Sequence, residues 1–238
     1  GAARGVCGAL APAIGTNGGE VIADYGRLVG TFFLALFVLW ALLITAGFVV
    51  LGPRVFKLIA MVRAPGLLAF STASSEAAYP RLLEQLERFG IANRVVSFVL
   101  PLGYSFNLDG SMMYCTFAVM FIAQVLGIDI TFGQQVLMLL LLMITSKGIA
   151  GVPRASLVVI SATLPAFGMP TEAIALVLAV DAFMDMGRTA TNVIGNSIAC
   201  AVIAKWEGLL SDPKEDTPAV ESVLGSRESE PGAASANR

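Results

Sequence analysis

Hydrophobic positions come in long blocks along this chain, with neither the strict alternation of strands nor the narrow apolar stripe of a surface helix. From Leu28 to Leu51, 24 residues pass without a charge; at about 1.5 Å per residue such a helix covers a hydrocarbon layer of about 30 Å. Upstream, Val6–Ile14 is too short to cross and reads as the end of a truncated helix occupying residues 1–18. The later blocks are interrupted. Ala64–Pro80 is broken by Ser71-Thr72-Ala73-Ser74-Ser75 and bracketed by two basic clusters, Arg54/Lys57/Arg63 and Arg81/Arg88/Arg94. Positive charge concentrates on the cytoplasmic side. A segment with both ends there must enter and return, which predicts a re-entrant helical hairpin tipped by the serines. Val95–Leu126 carries Pro101, Gly103 and Asn107-Leu108-Asp109-Gly110 near its middle, the pattern of a broken transmembrane helix. Phe132–Thr145 and Ala155–Phe167 are two short apolar arms joined by a glycine- and proline-bearing stretch, Ser146 to Arg154, and read as a second hairpin entering from the opposite face. Thr171–Lys205 then crosses back, interrupted by Asp181, Asp185, Arg188, Asn192 and Asn196.

The two halves match. Ser74 to Asp109 and Ser146 to Asp181 are both 35 residues apart, each running from a polar hairpin tip to an aspartate in a broken helix. The predicted fold is an all-α membrane protein, an inverted-repeat transporter with two re-entrant hairpins and two broken helices, whose binding site lies where the broken helices meet. Composition agrees: 56% of the 238 residues are hydrophobic and only 13% charged. There is no histidine, which removes Ser-His-Asp and Cys-His catalysis and histidine-ligated zinc. Net charge is -2, no basic patch is interleaved with aromatics, and nucleic acid is not an expected partner. Residues 208–238 carry six acids against three basic groups and few large apolar residues, which predicts a disordered acidic cytoplasmic tail. The opening Gly1-Ala2-Ala3-Arg4, with neither an initiator Met nor a signal peptide, suggests part of something longer.

An ionisable residue at membrane depth costs at least about 2.5 kcal/mol on insertion scales, so Asp109, Asp181, Asp185 and Arg188 need compensation. Asp181, Asp185, Arg188, Asn192 and Asn196 are spaced by 4, 3, 4 and 4, which puts all five on one helix face. Asp185 and Arg188 alone would make a self-neutralising pair. The third carboxylate and the two amides go beyond that need and favour a site: an arginine fork for a carboxylate and an aspartate for an ammonium ask for a zwitterionic, acidic ligand. Asn107 and Asp109 sit at a helix break, where freed carbonyls and a carboxylate suit a small hard cation, although Asp109 also fits a helix cap. Ser74 and Ser75 fit either substrate contact or hydrogen bonding to their own backbone.

Four motifs carry a family resemblance: Ser71-Thr72-Ala73-Ser74-Ser75-Glu76, Asn107-Leu108-Asp109-Gly110-Ser111, Gly148-Ile149-Ala150-Gly151-Val152-Pro153, and Asp181-x3-Asp185-Met186-Gly187-Arg188-Thr189-x2-Asn192. In order and spacing the chain resembles the dicarboxylate/amino acid:cation symporter family, the glutamate transporter fold, closest to bacterial glutamate/aspartate symporters. The resemblance implies a transport domain over 19–207: a helix (19–51), the first hairpin (52–90), a broken helix (91–127), the second hairpin (128–170) and a second broken helix (171–207). It also implies a homotrimer held by a scaffold outside this chain. Substrate-binding residues would be Ser74, Ser75, Ser111, the carbonyl of Val152, Asp185 for the amino group, Arg188 for the side-chain carboxylate, Thr189, and Asn192 for the α-carboxylate. Cation-binding positions would be Ser105, Asn107, Asp109, Ser146, Asn192 and Asn196, with sodium implied at Asn107, Asp109 and Asn192.

Two departures matter. Asn196 stands where sodium-coupled members carry a carboxylate, and Lys147 lies beside another sodium position, so an ammonium stands in for the ion. Members with a further arginine near the site place it where this chain has Ala73 or Met186, leaving Arg154 as the remaining candidate, which fits equally an arginine reaching water at the hairpin mouth. The expected function is cation-coupled symport of glutamate or aspartate across the cytoplasmic (inner) membrane, with protons favoured over sodium. No cofactor is expected beyond the co-transported ion, and no enzymatic activity. The nearest alternative is a C4-dicarboxylate symporter, in which Asp185 would usually be serine. An intramembrane aspartyl protease would need Gly-x-Gly-Asp and Tyr-Asp signatures, which the chain lacks.

Overall fold

The computed structural model describes residues 2–147 and 153–213, with side chains from residue 22 onward. Helix α1, Ala2–Leu51, is unbroken across residue 18, where the sequence suggests a boundary between a truncated helix and the next. It stops at Gly52 in the left-handed region (φ 66°), followed by Pro53, a common helix stop. Helix α2, Arg54–Thr72, ends at a left-handed Ala73 whose N–H bonds Phe70 O. Ser74 is extended and caps α3, Ser75–Arg88, its Oγ accepting the Ala77 N–H at 3.3 Å.

Helix α4, Asn93–Phe106, and α5, Asp109–Val125, are separated by the non-helical pair Asn107–Leu108, as the Asn-Leu-Asp-Gly sequence predicts. Helix α6, Phe132–Thr145, opens with a capping box between Thr131 and Gln134. Helix α7, Ala155–Thr163, leads into two 3-10 turns, Leu164–Phe167 and Thr171–Leu176, and α8, Asp181–Trp206, closes the order. Among the described residues the protein is all-helical, with one isolated antiparallel bridge, Ile91 to Leu210. Among the described residues, three stretches are long and apolar enough to cross a membrane: Ile22–Leu51, Arg54–Thr72 and Asn93–Val125.

Two apolar clusters divide the molecule. One joins α1 (Leu28, Phe32, Leu36) to α5, α6, α7 and the second 3-10 turn; the other joins α2, α3 and α4 to the later half of α8 through Val193, Ile198, Cys200 and Ala204. Helix α8 packs against α1, α2, α3, α4 and α5, and its polar face falls between the clusters. Glycines allow the closest approaches: a Cβ at Gly110 would collide with Arg188 O, one at Gly103 with Asn196 Oδ1, and one at Gly195 would lie 2.6 Å from Asp109 Oδ2.

The tail reading needs one correction. Residues 208–238 are expected to be disordered, yet Leu209–Asp212 is docked. Ala92 N–H donates to Leu209 O (3.1 Å), Ser211 N–H to Gly90 O (2.9 Å), and Arg54 pairs with Asp212. Gly90 adopts φ 106°, and a Cβ there would lie 2.5 Å from Ser211 O, so the pairing depends on glycine. Composition missed this contact because it is made largely by backbone. Residues 214–238 lie outside the described part.

Candidate binding site at the start of helix 8

Both polar helix restarts begin on an aspartate. Asp109 is the first residue of α5 and Asp181 the first of α8, with Leu108 and Val180 in the cap positions and no side-chain cap at either. Asp109 is therefore not the cap that the sequence allowed; it lies in the first turn, where the helix dipole favours a carboxylate. The spacing of α8 holds as well: Asp181, Asp185, Arg188, Asn192 and Asn196 are all buried, at 1% exposure or less.

Arg188 and Asp185 do form the i,i+3 ion pair, through Nε and Oδ1. The pair is not closed on itself. Asp185 Oδ2 accepts the Arg154 backbone N–H (2.8 Å), and Arg188 Nη1 donates to Ser111 Oγ (3.1 Å). Ser111 Oγ also receives Asn192 Nδ2 (2.9 Å), while Asn192 Oδ1 accepts the Gly110 N–H (2.9 Å). Thr189 is buried beside them, its Oγ1 donating to Asp185 O at 2.7 Å. Ser111, Asp185, Arg188, Thr189 and Asn192 thus share one hydrogen-bonded cluster that holds a guanidinium, a carboxylate, an amide and a hydroxyl. Such a set can receive both ends of a zwitterion.

The residues expected to bind cations lie one step along. Asn107 Nδ2 donates to Asn196 Oδ1 (3.0 Å), and Asn196 Nδ2 is buried without a hydrogen-bond partner. Lys147 Nζ donates to Phe106 O (2.9 Å), a carbonyl at the α4 break. Ser146 is buried at the end of α6, with its Oγ 3.1 Å from Met112 Sδ, and Ser105 lies half-buried in the last turn of α4. Ser75 is buried and its carbonyl accepts Tyr104 Oη (3.2 Å), whereas Ser74 serves as the α3 cap. Val152 lies outside the described residues.

The sequence reading missed Tyr114, whose Oη donates to Asp181 Oδ1 at 2.5 Å. It lies in an apolar run, and its polar atom gives no periodic signal. Arg154, the remaining candidate for a further arginine near the site, brings Nε to 3.2 Å of Asp181 Oδ2.

The profile of the sodium:dicarboxylate symporter family matches residues 2–206. The chain belongs to this family. Among its curated relatives in the family, the proton/sodium-glutamate symport protein of Bacillus subtilis (strain 168) is 45% identical over 198 residues, covering 82% of this chain and 46% of that protein. The proton/glutamate-aspartate symporter of Escherichia coli (strain K12) is 51% identical over 156 residues, covering 66% of this chain and 36% of the relative. A C4-dicarboxylate transport protein of Sphingopyxis alaskensis is 45% identical over 206 residues, covering 85% and 46%. The chain spans about half or less of the length of these symporter-family relatives.

Proposed function

We propose that this chain is the transport domain of a cation-coupled symporter for acidic amino acids, glutamate or aspartate, in the cytoplasmic membrane. The buried cluster of Arg188, Asp185, Ser111 and Asn192 carries the reading, because it offers a cation, an anion and neutral donors within one hydrogen-bonded set. In this reading Arg188 takes the side-chain carboxylate, Asp185 the ammonium and Asn192 the α-carboxylate, with Ser74, Ser75, Thr189 and the Val152 carbonyl completing the site. Helices α2–α3 and α6–α7 are two re-entrant hairpins of an inverted repeat. The unit of 19–207 moves against a scaffold that also holds a homotrimer.

The coupling ion is a proton. Sodium at Asn107, Asp109, Asn192 and the carbonyls near Ser105 and Ser146 is disfavoured because Lys147 already donates to a break carbonyl and Asn196 is a neutral amide engaged by Asn107. Relatives named for proton/glutamate-aspartate symport support the proton, while those named for proton/sodium-glutamate symport name both ions. A second reading, C4-dicarboxylate symport, is favoured by relatives of that name. It conflicts with Asp185, which repels a ligand lacking an ammonium.

The test is uptake by the full-length protein in proteoliposomes, with labelled aspartate and succinate under separately imposed pH and sodium gradients. Aspartate uptake that follows the pH gradient and survives sodium removal is expected. Succinate accumulation without aspartate uptake would favour the second reading.

A further inference from the structure

The opening turn of α8 holds two buried carboxylates whose surroundings differ. Both oxygens of Asp185 are taken: Oδ1 pairs with Arg188 Nε, and Oδ2 accepts the Arg154 backbone N–H at 2.8 Å. Asp181, one turn earlier and 0% exposed, has only Oδ1 in a hydrogen bond, accepting the Tyr114 hydroxyl at 2.5 Å. Its Oδ2 is buried without a hydrogen-bond partner; Arg154 Nε lies 3.2 Å away, out of hydrogen-bond alignment, on a side chain that is 63% exposed. A buried carboxylate oxygen left open beside a group that reaches water is a place where a proton can arrive and stay. The ionisable groups facing Asp181 are Tyr114 from α5, Arg154 from the turn before α7, and Asp185 and Arg188 from α8 itself, while α1 contributes Phe32, packed on the Tyr114 ring. The two carboxylates of α8 are matched by two guanidiniums, so the empty cluster is neutral.

We propose that Asp181 carries the co-transported proton, taking it up when the acidic amino acid binds and releasing it when the amino acid leaves. The inference rests on the reading above, proton-coupled symport of glutamate or aspartate. Such a ligand brings two carboxylates and one ammonium, so the loaded site holds one negative charge more than the empty one. Asp185 answers the ammonium and Arg188 one carboxylate, while Asn192, the partner of the other carboxylate, is neutral. An uncompensated charge carried through the membrane is costly. A proton on Asp181 Oδ2 cancels it, forming one O–H bond with no other covalent change. Asp185 is the poorer acceptor, because a proton there would disrupt its pair with Arg188 and weaken its hold on the ligand's ammonium. Asp181 takes the proton on its open oxygen and keeps the Tyr114 hydroxyl on the other. The coupling is reciprocal: the ligand's negative charge holds the proton and the proton holds the ligand, which gives one proton per amino acid at this cluster.

The experiment follows labelled aspartate and lumenal pH together, the latter with an enclosed dye, in vesicles holding full-length wild type, D181N or Y114F. In the wild type, aspartate entry is expected to acidify the lumen, and apparent affinity to fall by about tenfold per pH unit on the alkaline side, the slope of one linked proton. D181N is expected to exchange internal for external aspartate at a rate indifferent to pH and to bring in no proton. Its pH-driven net uptake should fall by at least about tenfold, since its empty cluster returns with an unmatched guanidinium. D181N that still acidifies the lumen with each aspartate, or keeps the wild-type pH slope, would overturn Asp181 as the site. Should D181N bind no aspartate, Y114F decides: deleting the hydroxyl that supports the ionised carboxylate is expected to move the fall in affinity to higher pH, and an unmoved profile overturns the assignment. Wild type that takes up aspartate with sodium and moves no proton would remove the proton reading itself, and this site with it.

Discussion

Lys147, at the end of α6, donates its ammonium to the backbone carbonyl of Phe106, the last residue of α4 before the chain breaks. A freed carbonyl at a helix end is a natural ligand for a small cation, and here a side chain of the same protein takes it. The ammonium also lies 5.9 Å from the centre of the Phe106 ring, within cation–π range.

Replacing Asn196 with aspartate adds a carboxylate next to Asn107, and K147S removes the competing ammonium. The double variant is expected to gain sodium-stimulated aspartate uptake, with the pH gradient losing its hold. Initial rates across sodium concentrations at fixed pH check this; rates indifferent to sodium in the double variant would leave the coupling assignment unsupported.

Arg188→Ala takes the guanidinium from Ser111 and Asp185 and strands a buried carboxylate. Apparent affinity for glutamate and aspartate is expected to fall by at least about tenfold, since a hydrogen bond to a charged group is worth about 1.5–3 kcal/mol. Asp185→Ser should instead raise competition by succinate relative to aspartate. Competition curves measure both, and unchanged aspartate affinity in Arg188→Ala refutes its role.

Gly195→Ala drives a methyl to 2.6 Å from Asp109 Oδ2, whereas Gly30→Ala meets nothing within 4 Å. The first is expected to cut coupled uptake by about tenfold or more by displacing Asp109 from α8, as small misplacements in a site do. The second should leave uptake near wild type. Equal rates for the two at equal expression would show that the close approach is unimportant.

Tyr114→Phe deletes the O–H that Asp181 accepts and leaves a buried carboxylate with less support. A loss of about 1–3 kcal/mol in stability is expected, read as a lower thermal midpoint in detergent. An unchanged midpoint would place the value of that bond near zero.

The helix breaks were legible because they are written in residues with a local cause: Asn107-Leu108-Asp109-Gly110 interrupts an apolar run, and the five polar positions of α8 share one face. The repeat expected from the sequence is matched only in part. Its register pairs Asp109 with Asp181 correctly as helix restarts, but Ser74 caps the start of α3 while Ser146 ends α6, so equal spacing did not mean equal roles. What stayed hidden was set by tertiary contact. Tyr114 and Asp181 are 67 residues apart, and nothing in the residues around Tyr114 signals that its hydroxyl meets a carboxylate. Arg154 was visible as a charge, but its two partners depend on how α7 meets α8.

The seam between Gly90–Ala92 and Leu209–Ser211 changes where the folded unit stops. Lys205 Nζ adds a bond to Val50 O (2.5 Å), and Asp212 reaches Arg54, so the exit of α8 is stitched to the base of the first helix pair. A fluorescent reporter fused straight after Trp206 would keep Lys205 but strip out the seam and the Asp212 pair, while one fused after Pro213 would keep all of them.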